Sequence, residues 1–378
     1  MARSGAEMAG MTLPGKPEWR AMLTYVAELH ARSVHPPEHH WPHPWEEIGP
    51  GYCYAPAFGH WDIVHQAIDQ IQTNPEHAAN QLRNLLASQQ EDGFLPGAIY
   101  FRDGKPWWGA WTHPPVWPLA VEMLGDTSLQ AELAPALVKQ IGWFERHRRA
   151  DDGTGFYYAD LTERKWESGV DEGIRYDDAP RAKLSCVDAT SHLYACYAAA
   201  ARWTGESQFQ VEAHRLNHLI ETQLFNPTTG WFHDAWDRSL LSFEGMWPLA
   251  VGAGTGSQRW AVRTALLDPE RFFGVHPIRT VAASEPKREK RMWRGPAWNS
   301  MTFWAACGLI ELGHPEAARP LLEAALDNSA HWFDATGTIW EFYESEGGDP
   351  RDVARKPHTP FNRPSPDYLV RRQALILG

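Results

Sequence analysis

At 378 residues, 43% hydrophobic and 22% charged, the chain has the balance of a globular protein, which excludes a disordered polymer and allows one large domain or two ordinary ones. Its formal net charge of −12 repels phosphate backbones, so nucleic acid is not an expected partner. The outlier is tryptophan, 20 residues beside 15 Phe and 11 Tyr: Leu and Ile fill a core without an N–H to satisfy, whereas an indole offers a flat apolar face with a polar edge, which suits a sugar ring.

In chain order the sequence reads as helices separated by long loops, with few alternating strand patterns. Helical patterns run over 17–31, 60–72, 76–89, 114–124, 128–149 and 185–203, then over 206–223, 244–253, 256–266, 296–312, 315–328 and 365–375. Pro17 opens the first, Asn74-Pro75-Glu76 caps the third, Pro114-Pro115 opens the fourth, and Pro315 opens the eleventh after a stop at Gly313. Within 315–328, Ala317, Leu321, Leu322, Ala325 and Leu326 share a face while Glu316 and Arg319 point outward. Twelve helices make six hairpins, and no linker or composition break divides them. Residues 1–378 are therefore expected to form a single all-α domain, an (α/α)6 barrel, in which a closed ring of helical hairpins carries long loops at one end. The connections 32–59, 90–113, 150–184, 225–243, 268–295 and 329–364 exceed the roughly 12–15 residues beyond which structureless loops are uncommon and usually functional. They hold most of the Trp residues and many acids, which puts the chemistry on the loop face.

Five stretches carry that chemistry. Trp166 to Pro180, WESGVDEGIRYDDAP, places five carboxylates in twelve residues among Trp166, Arg175 and Tyr176. Glycoside hydrolysis needs one carboxylic acid to protonate the leaving oxygen and a second carboxylate opposite it, and an acid set against indole is desolvated and kept protonated. Arg291 to Ala306 turns at Gly295-Pro296 just before a helix, which brings Trp293, Arg294 and Trp298 to its mouth. Thr338 to Pro350 carries Glu341, Glu344, Glu346 and Asp349. Tyr54 to Gln66 is an aromatic loop entering a helix, with Asp62 near the start. A fifth stretch, DGFLPGAIYFRDGKPWWGAWTHPP, holds Trp107, Trp108, Trp111 and His113 on a loop.

These segments resemble motifs of glycoside hydrolase families 63 and 37, which include processing α-glucosidase, mannosylglycerate and glucosylglycerate hydrolases, and trehalase. WESGVD with RYD resembles their WESGxDxxxRWD pattern, and MWRGPAW resembles their (Y/W)RGPxW. His60-Trp61-Asp62 resembles their early WD pair, Thr112 to Pro115 their QPP, and Ser242 to Gly252 their GFYPL helix. The order is shared across about residues 50–348. The resemblance implies an (α/α)6 barrel and inverting hydrolysis of a small α-glycoside, an α-glucoside or α-mannoside. It makes Asp171 the general acid and a C-terminal Glu the base. Glu346 falls nearest the expected position, beside Gly347-Gly348, and Glu341 stands second, although DVARKPHTPFNRPSPDYL follows where the family carries FSWTA. Trp61, Asp62, Trp107, His113, Trp166, Glu167, Arg175, Trp293, Arg294 and Trp298 are the expected sugar contacts, and Arg175 and Arg294 could meet an anionic aglycone or orient carboxylates.

No cofactor or metal is expected: there is no GxSxG, HExxH or Gly-rich phosphate loop, and His35, His39, His40 and His43 read as solvated loop residues. Cys53, Cys186, Cys196 and Cys307 are scattered, without the spacing of a zinc site or a disulfide framework, as suits a reducing compartment. The N-terminus lacks an apolar signal region, and the longest apolar stretch, near Leu193–Trp203, falls short of the roughly 18–20 residues of a membrane span. A soluble cytoplasmic protein with a small carbohydrate substrate and no membrane partner is the expectation, its oligomeric state open. Two other classes share such an architecture: helical-barrel sugar epimerases or polysaccharide lyases, and a non-catalytic sugar-binding relative.

Overall fold

The structure is a computed structural model that describes residues 15–38, 40–48, 56–102, 105–108, 111–163, 166–356, 362 and 369–377. All twelve predicted helices are present among these residues, and their burial sorts them into two sets. Val187 to Leu193 is buried without a break, as is Asn299 to Ala306, a pattern that only an interior helix satisfies. The inner set comprises His60–Gln70, Trp117–Leu124, Val187–Thr204, Trp247–Ala250, Asn299–Glu311 and Val370–Leu377. Starting from the 370–377 helix, each packs on the next in that order. Gln373 then closes the ring by donating its Nε2 to the Asn299 carbonyl at 3.1 Å.

The outer helices bury one stripe each. Pro75–Ala87, Thr127–His147, Ser207–Leu219, Gly256–Leu266 and Pro315–Thr336 pack on the inner helices that precede them, and Arg20–Arg32 packs on the 370–377 helix. Six hairpins in a closed ring make the (α/α)6 barrel. Local chemistry sets their ends. Asn74 accepts from the His77 N–H ahead of Pro75, Asp126 accepts from the Ser128 and Leu129 N–H groups, and Thr255 and Gln258 form a reciprocal capping box. Gly205 ends the 187–204 helix at φ 74°, a left-handed conformation that a Cβ would disfavour.

The structure departs from the sequence reading in places. The fourth helix starts at Trp117, because the Val116 N–H is already turned back to the Pro114 carbonyl at 2.9 Å. The eleventh continues to Thr336, where Ala330 and Phe333 pack with Trp19, Met22 and Leu23 of the first hairpin. The eighth shortens to one turn, led in by a 3-10 turn over Phe243–Met246. The 90–113 loop contains a hairpin, Ala98–Arg102 against Lys105–Trp108, which Ala57–Gly59 joins as a third antiparallel strand. Its pairing leaves the Gly97 carbonyl to accept from the His60 N–H at 2.9 Å, so the small sheet sets where the first inner helix begins. No helix among the described residues is long and apolar enough to cross a membrane.

A buried charge cluster joins the first and last hairpins. His30, on the outer 20–32 helix, bonds Glu46 through Nδ1 at 2.5 Å and Asp69 through Nε2 at 3.0 Å, and both carboxylates are fully buried. Asp69 also accepts from the Arg372 N–H at 2.6 Å, and Glu46 takes His77 at 3.0 Å. Burial alone would lower the His30 pKa, but Glu46 and Asp69 together raise it. Burial would raise Glu46, but His30 and His77 hold it down at about 2. The His30 contribution to stability is full below its ordinary 6.5 and is lost as pH rises through the raised value. The Glu46 contribution is full above 4.5 and is lost as pH falls toward about 2. A His30→Asn variant should therefore show its largest melting deficit against wild type near about pH 5–6, with the gap narrowing on the alkaline side. Thermal melts of both proteins across pH 4–9 check this, and a gap that widens above pH 8 would contradict it.

Candidate active site

The segments singled out in the sequence meet at one end of the barrel, because each precedes or opens an inner helix. The Trp166–Pro180 loop is pinned from behind. Arg148 grips Glu167 with Nε and Nη2 at 2.6 and 2.8 Å, and the Ala159 N–H adds a third bond to the same carboxylate at 2.7 Å. Buried Asp160 accepts from the Ser168 N–H at 2.8 Å and the Ser168 hydroxyl at 3.0 Å. Gly169 then takes φ 73° with its Cα turned toward the Trp61 ring, which a side chain in that conformation would strain. Farther along, Arg175 is buried among Asp188, Asp234 and Glu244 and reaches the Tyr176 hydroxyl at 2.6 Å. Arg291 pairs with Glu172, Arg294 with Asp177 at 2.9 Å, and Lys287 with Asp178. Of the loop's five acids, four are thus matched to a cation by close hydrogen bonds. Asp171 differs, its nearest cation being Lys356 Nζ at 3.5 Å.

Asp171 faces a small group of charges. Burial raises its pKa, while Lys356 and Arg355 oppose the rise. Asp62, in the first turn of the 60–70 helix, is pushed up to about 6 by burial and further by the charge of Asp171, with Arg355 again opposing. Arg355 also forms a buried ion pair with Glu341. Arg355 is thus paired with Glu341, and its charge also acts on Asp62 and Asp171, three carboxylates contributed by the first inner helix, the third connection and the last long loop. His113 leans on the same loop: burial lowers its pKa to about 4, and a hydrogen bond to the Trp166 backbone partly offsets this. Trp61 stands edge-on to His65 at 4.6 Å and to Trp247 at 6.2 Å. The Trp166 ring is half exposed, with the Lys356 ammonium 5.2 Å from its centre. Arg294 Nη1 reaches the Glu172 carbonyl at 3.2 Å, next to Asp171, whose charge acts on Asp62.

Other expected contacts have different work. Glu167 is a structural carboxylate, saturated by Arg148 and the Ala159 N–H behind the site. Arg175 orients three carboxylates, and Arg294 clamps Glu289 and Asp177, so neither guanidinium is left for an anionic aglycone. Trp293 and Trp298 stack on each other at 3.8 Å and 6°, and Phe243 covers the other side of Trp293 at 5.3 Å and 20°. Both are buried, and Trp293 has no face to offer a sugar. Glu346 is held by Arg279 at 2.7 and 2.8 Å and by Arg288 at 2.7 Å, and these bonds keep its carboxyl below the usual range. Trp107 lies on the Lys105–Trp108 strand opposite Tyr100, and its side chain lies outside the described residues, as does His39. His35 stacks on Trp45 at 4.4 Å and His40 bonds the Ser88 hydroxyl at 2.9 Å. Cys186, Asp188 and Asp234 bring ligand atoms within 4.8 Å of one another, with Arg175 bonded to both carboxylates. The residues that sequence reasoning passed over are Arg355 and Lys356, adjacent cations in the stretch noted only for lacking the family's tail. Their signal is a positive pair following an acid-rich loop.

Comparison with known proteins agrees with this frame. A mannosylglycerate hydrolase MGH1 from Selaginella moellendorffii is 22% identical over 75% of this chain and 74% of its own. The GH63 mannosylglycerate hydrolase of Thermus thermophilus, solved in complex with glucose, superposes with a TM-score of 0.73 at 17% identity, covering 96% of this chain and all of that one. The same enzyme in complex with Tris and D-glycerate gives a TM-score of 0.71 at 17% identity over 96% and 99% of the two chains. Residues 55–368 match the model of the mannosylglycerate hydrolase MGH1-like glycoside hydrolase domain, and the chain belongs to that family of glycoside hydrolases.

Proposed function

We propose that the protein is an inverting α-glycosidase acting on a small α-mannoside or α-glucoside with an anionic aglycone of the glycerate type, with Asp171 as general acid and Glu341 as general base. The observation that carries the reading is the buried Arg355–Glu341 ion pair, with the same guanidinium's charge acting on Asp62 and Asp171. An acid must hold its proton at working pH, and burial moves Asp171 in that direction. The base must be ionised and able to accept a proton from water on the far side of the sugar. Between the two candidates, Glu346 is tied by hydrogen bonds to both Arg279 and Arg288 and is thereby a poor proton acceptor, whereas Glu341 shares its arginine with the acid. This reverses the order of preference that position alone suggests. In this reading Asp62 takes sugar hydroxyls, and the half-exposed Trp166 offers a stacking face.

Product analysis on a panel of α-glycosides tests the reaction: free sugar released as the β-anomer in the first turnovers is expected from NMR. An epimer or an unsaturated product would transfer the protein to another class, and binding without turnover would make it a sugar-binding relative. Glu341→Ala should lose roughly 10²–10⁴-fold in rate and recover part of it with azide, whereas Glu346→Gln should keep most of the turnover. A Glu346 variant as slow as the Glu341 variant would return the base to Glu346.

A further inference from the structure

A lysine next to a general acid works against it, since a positive charge favours the ionised carboxylate that cannot donate. Lys356 does this to Asp171 from 3.5 Å, longer than an ordinary ammonium–carboxylate hydrogen bond. Among the described residues, Arg355 is engaged with Glu341, Arg291 with Glu172, Arg294 with Asp177 and Glu289, and Arg175 with three acids. Lys356 is 27% exposed, so a solute can reach its ammonium, and the ammonium lies over the half-exposed Trp166 ring.

We propose that Lys356 selects the aglycone: its ammonium pairs with a carboxylate carried by the leaving group, and that pairing releases Asp171 from the lysine. The inference rests on the hydrolase reading with Asp171 as acid. In the free enzyme the groups acting on Asp171 are Lys356 and Arg355, which favour its ionised form, and Glu172 and Asp62, which oppose it. An anionic aglycone offsets Lys356, the larger of the two positive charges, and leaves the others in place, so the acid is best armed when the right leaving group is bound. A neutral aglycone of the same size leaves Lys356 on Asp171 and is cleaved more slowly. The device couples recognition to proton donation at one atom.

The test compares the α-glycosyl glycerate with the α-glycosyl glycerol of the same sugar, which differ only in the carboxylate. The full chain is used as wild type, Lys356→Gln and Lys356→Arg. Lys356→Gln should lose roughly 10–100-fold in kcat/KM on the glycerate glycoside and keep or gain rate on the glycerol glycoside, with Lys356→Arg intermediate on the glycerate glycoside. The alkaline limb of kcat/KM on the glycerol glycoside should move to higher pH in Lys356→Gln, which a purely structural lysine would not cause. Titration with D-glycerate alone, followed by calorimetry, should show weaker binding to Lys356→Gln than to wild type, and a matched thermal melt confirms the fold. Equal losses on the two glycosides, or no loss on the glycerate glycoside, overturn the proposal while the hydrolase reading stands. A wild type inactive on both glycosides and on other α-glycosides overturns both.

Discussion

Asp171→Asn is expected to slow hydrolysis of an unactivated α-glycoside by roughly 10²–10⁴-fold while leaving sugar binding near wild type. Asn keeps the shape of the side chain and the backbone of the pinned loop, so Arg148–Glu167 and Asp160–Ser168 still hold the segment in place. What disappears is the proton delivered to the leaving oxygen. A substrate with a very good leaving group needs little protonation and should be partly spared, and the alkaline limb of the pH–rate profile should flatten. Steady-state kinetics on an alkyl and an aryl glycoside of the same sugar measure both effects. An Asn variant with wild-type turnover on the alkyl glycoside would remove Asp171 from the acid role.

The largest effect on stability is expected from Arg175→Met. Arg175 is buried and reaches Asp188 at 2.5 Å, Asp234 at 3.2 Å and Glu244 at 3.2 Å. Removing one partner of a buried ion pair leaves an uncompensated charge and costs about 3–5 kcal/mol, and here three carboxylates lose their cation together. Burial already pushes Asp234 and Glu244 up with the guanidinium present, and without it both are pushed further toward their protonated forms in the folded state. A folded state that binds more protons than the unfolded one loses stability as pH rises. The melting deficit of the variant should therefore be smaller at pH 5 than at pH 8. Because Asp234 accepts from the Val187 N–H and Asp188 from the Ala189 N–H, the 187–204 helix start should loosen with the hub. A variant melting within a degree or two of wild type would show that the three acids are compensated elsewhere.

The helices were legible because they are local: Pro75, Pro315 and the apolar stripe of 315–328 mark their own positions. The 98–108 hairpin was not, since its two runs are short and its aromatic residues read equally well as a sugar-binding loop. At the candidate site, Asp62, Trp61, Trp166 and Asp171 are singled out by their motifs. What the motifs could not supply is which cation each acid meets. Glu167 finds Arg148, 19 positions back, and Asp177 finds Arg294, 117 positions on. An acid in a motif looks the same on paper whether its partner is a substrate or an arginine. The choice between Glu341 and Glu346 turns on the same point: Arg279 and Arg288 reach Glu346 from the preceding long connection, while Arg355 pairs with Glu341 within one loop. Trp293 and Trp298 show the converse: two indoles at a helix mouth that satisfy each other.

The ring closure bears on the order in which the protein can be built. The 370–377 helix is the last of the six inner helices to leave the ribosome, yet it packs on the first, through Arg372 to Asp69, and on the fifth, through Gln373 to Asn299. Until it arrives, the nascent chain is an open crescent whose inner helices present buried-type faces such as Asn299 to Ala306 to solvent. Asp62 and Glu341 are carried by segments on either side of that gap. The proposed constellation of Asp62, Asp171 and Glu341 would thus be a late product of synthesis, completed by a few C-terminal residues outside it.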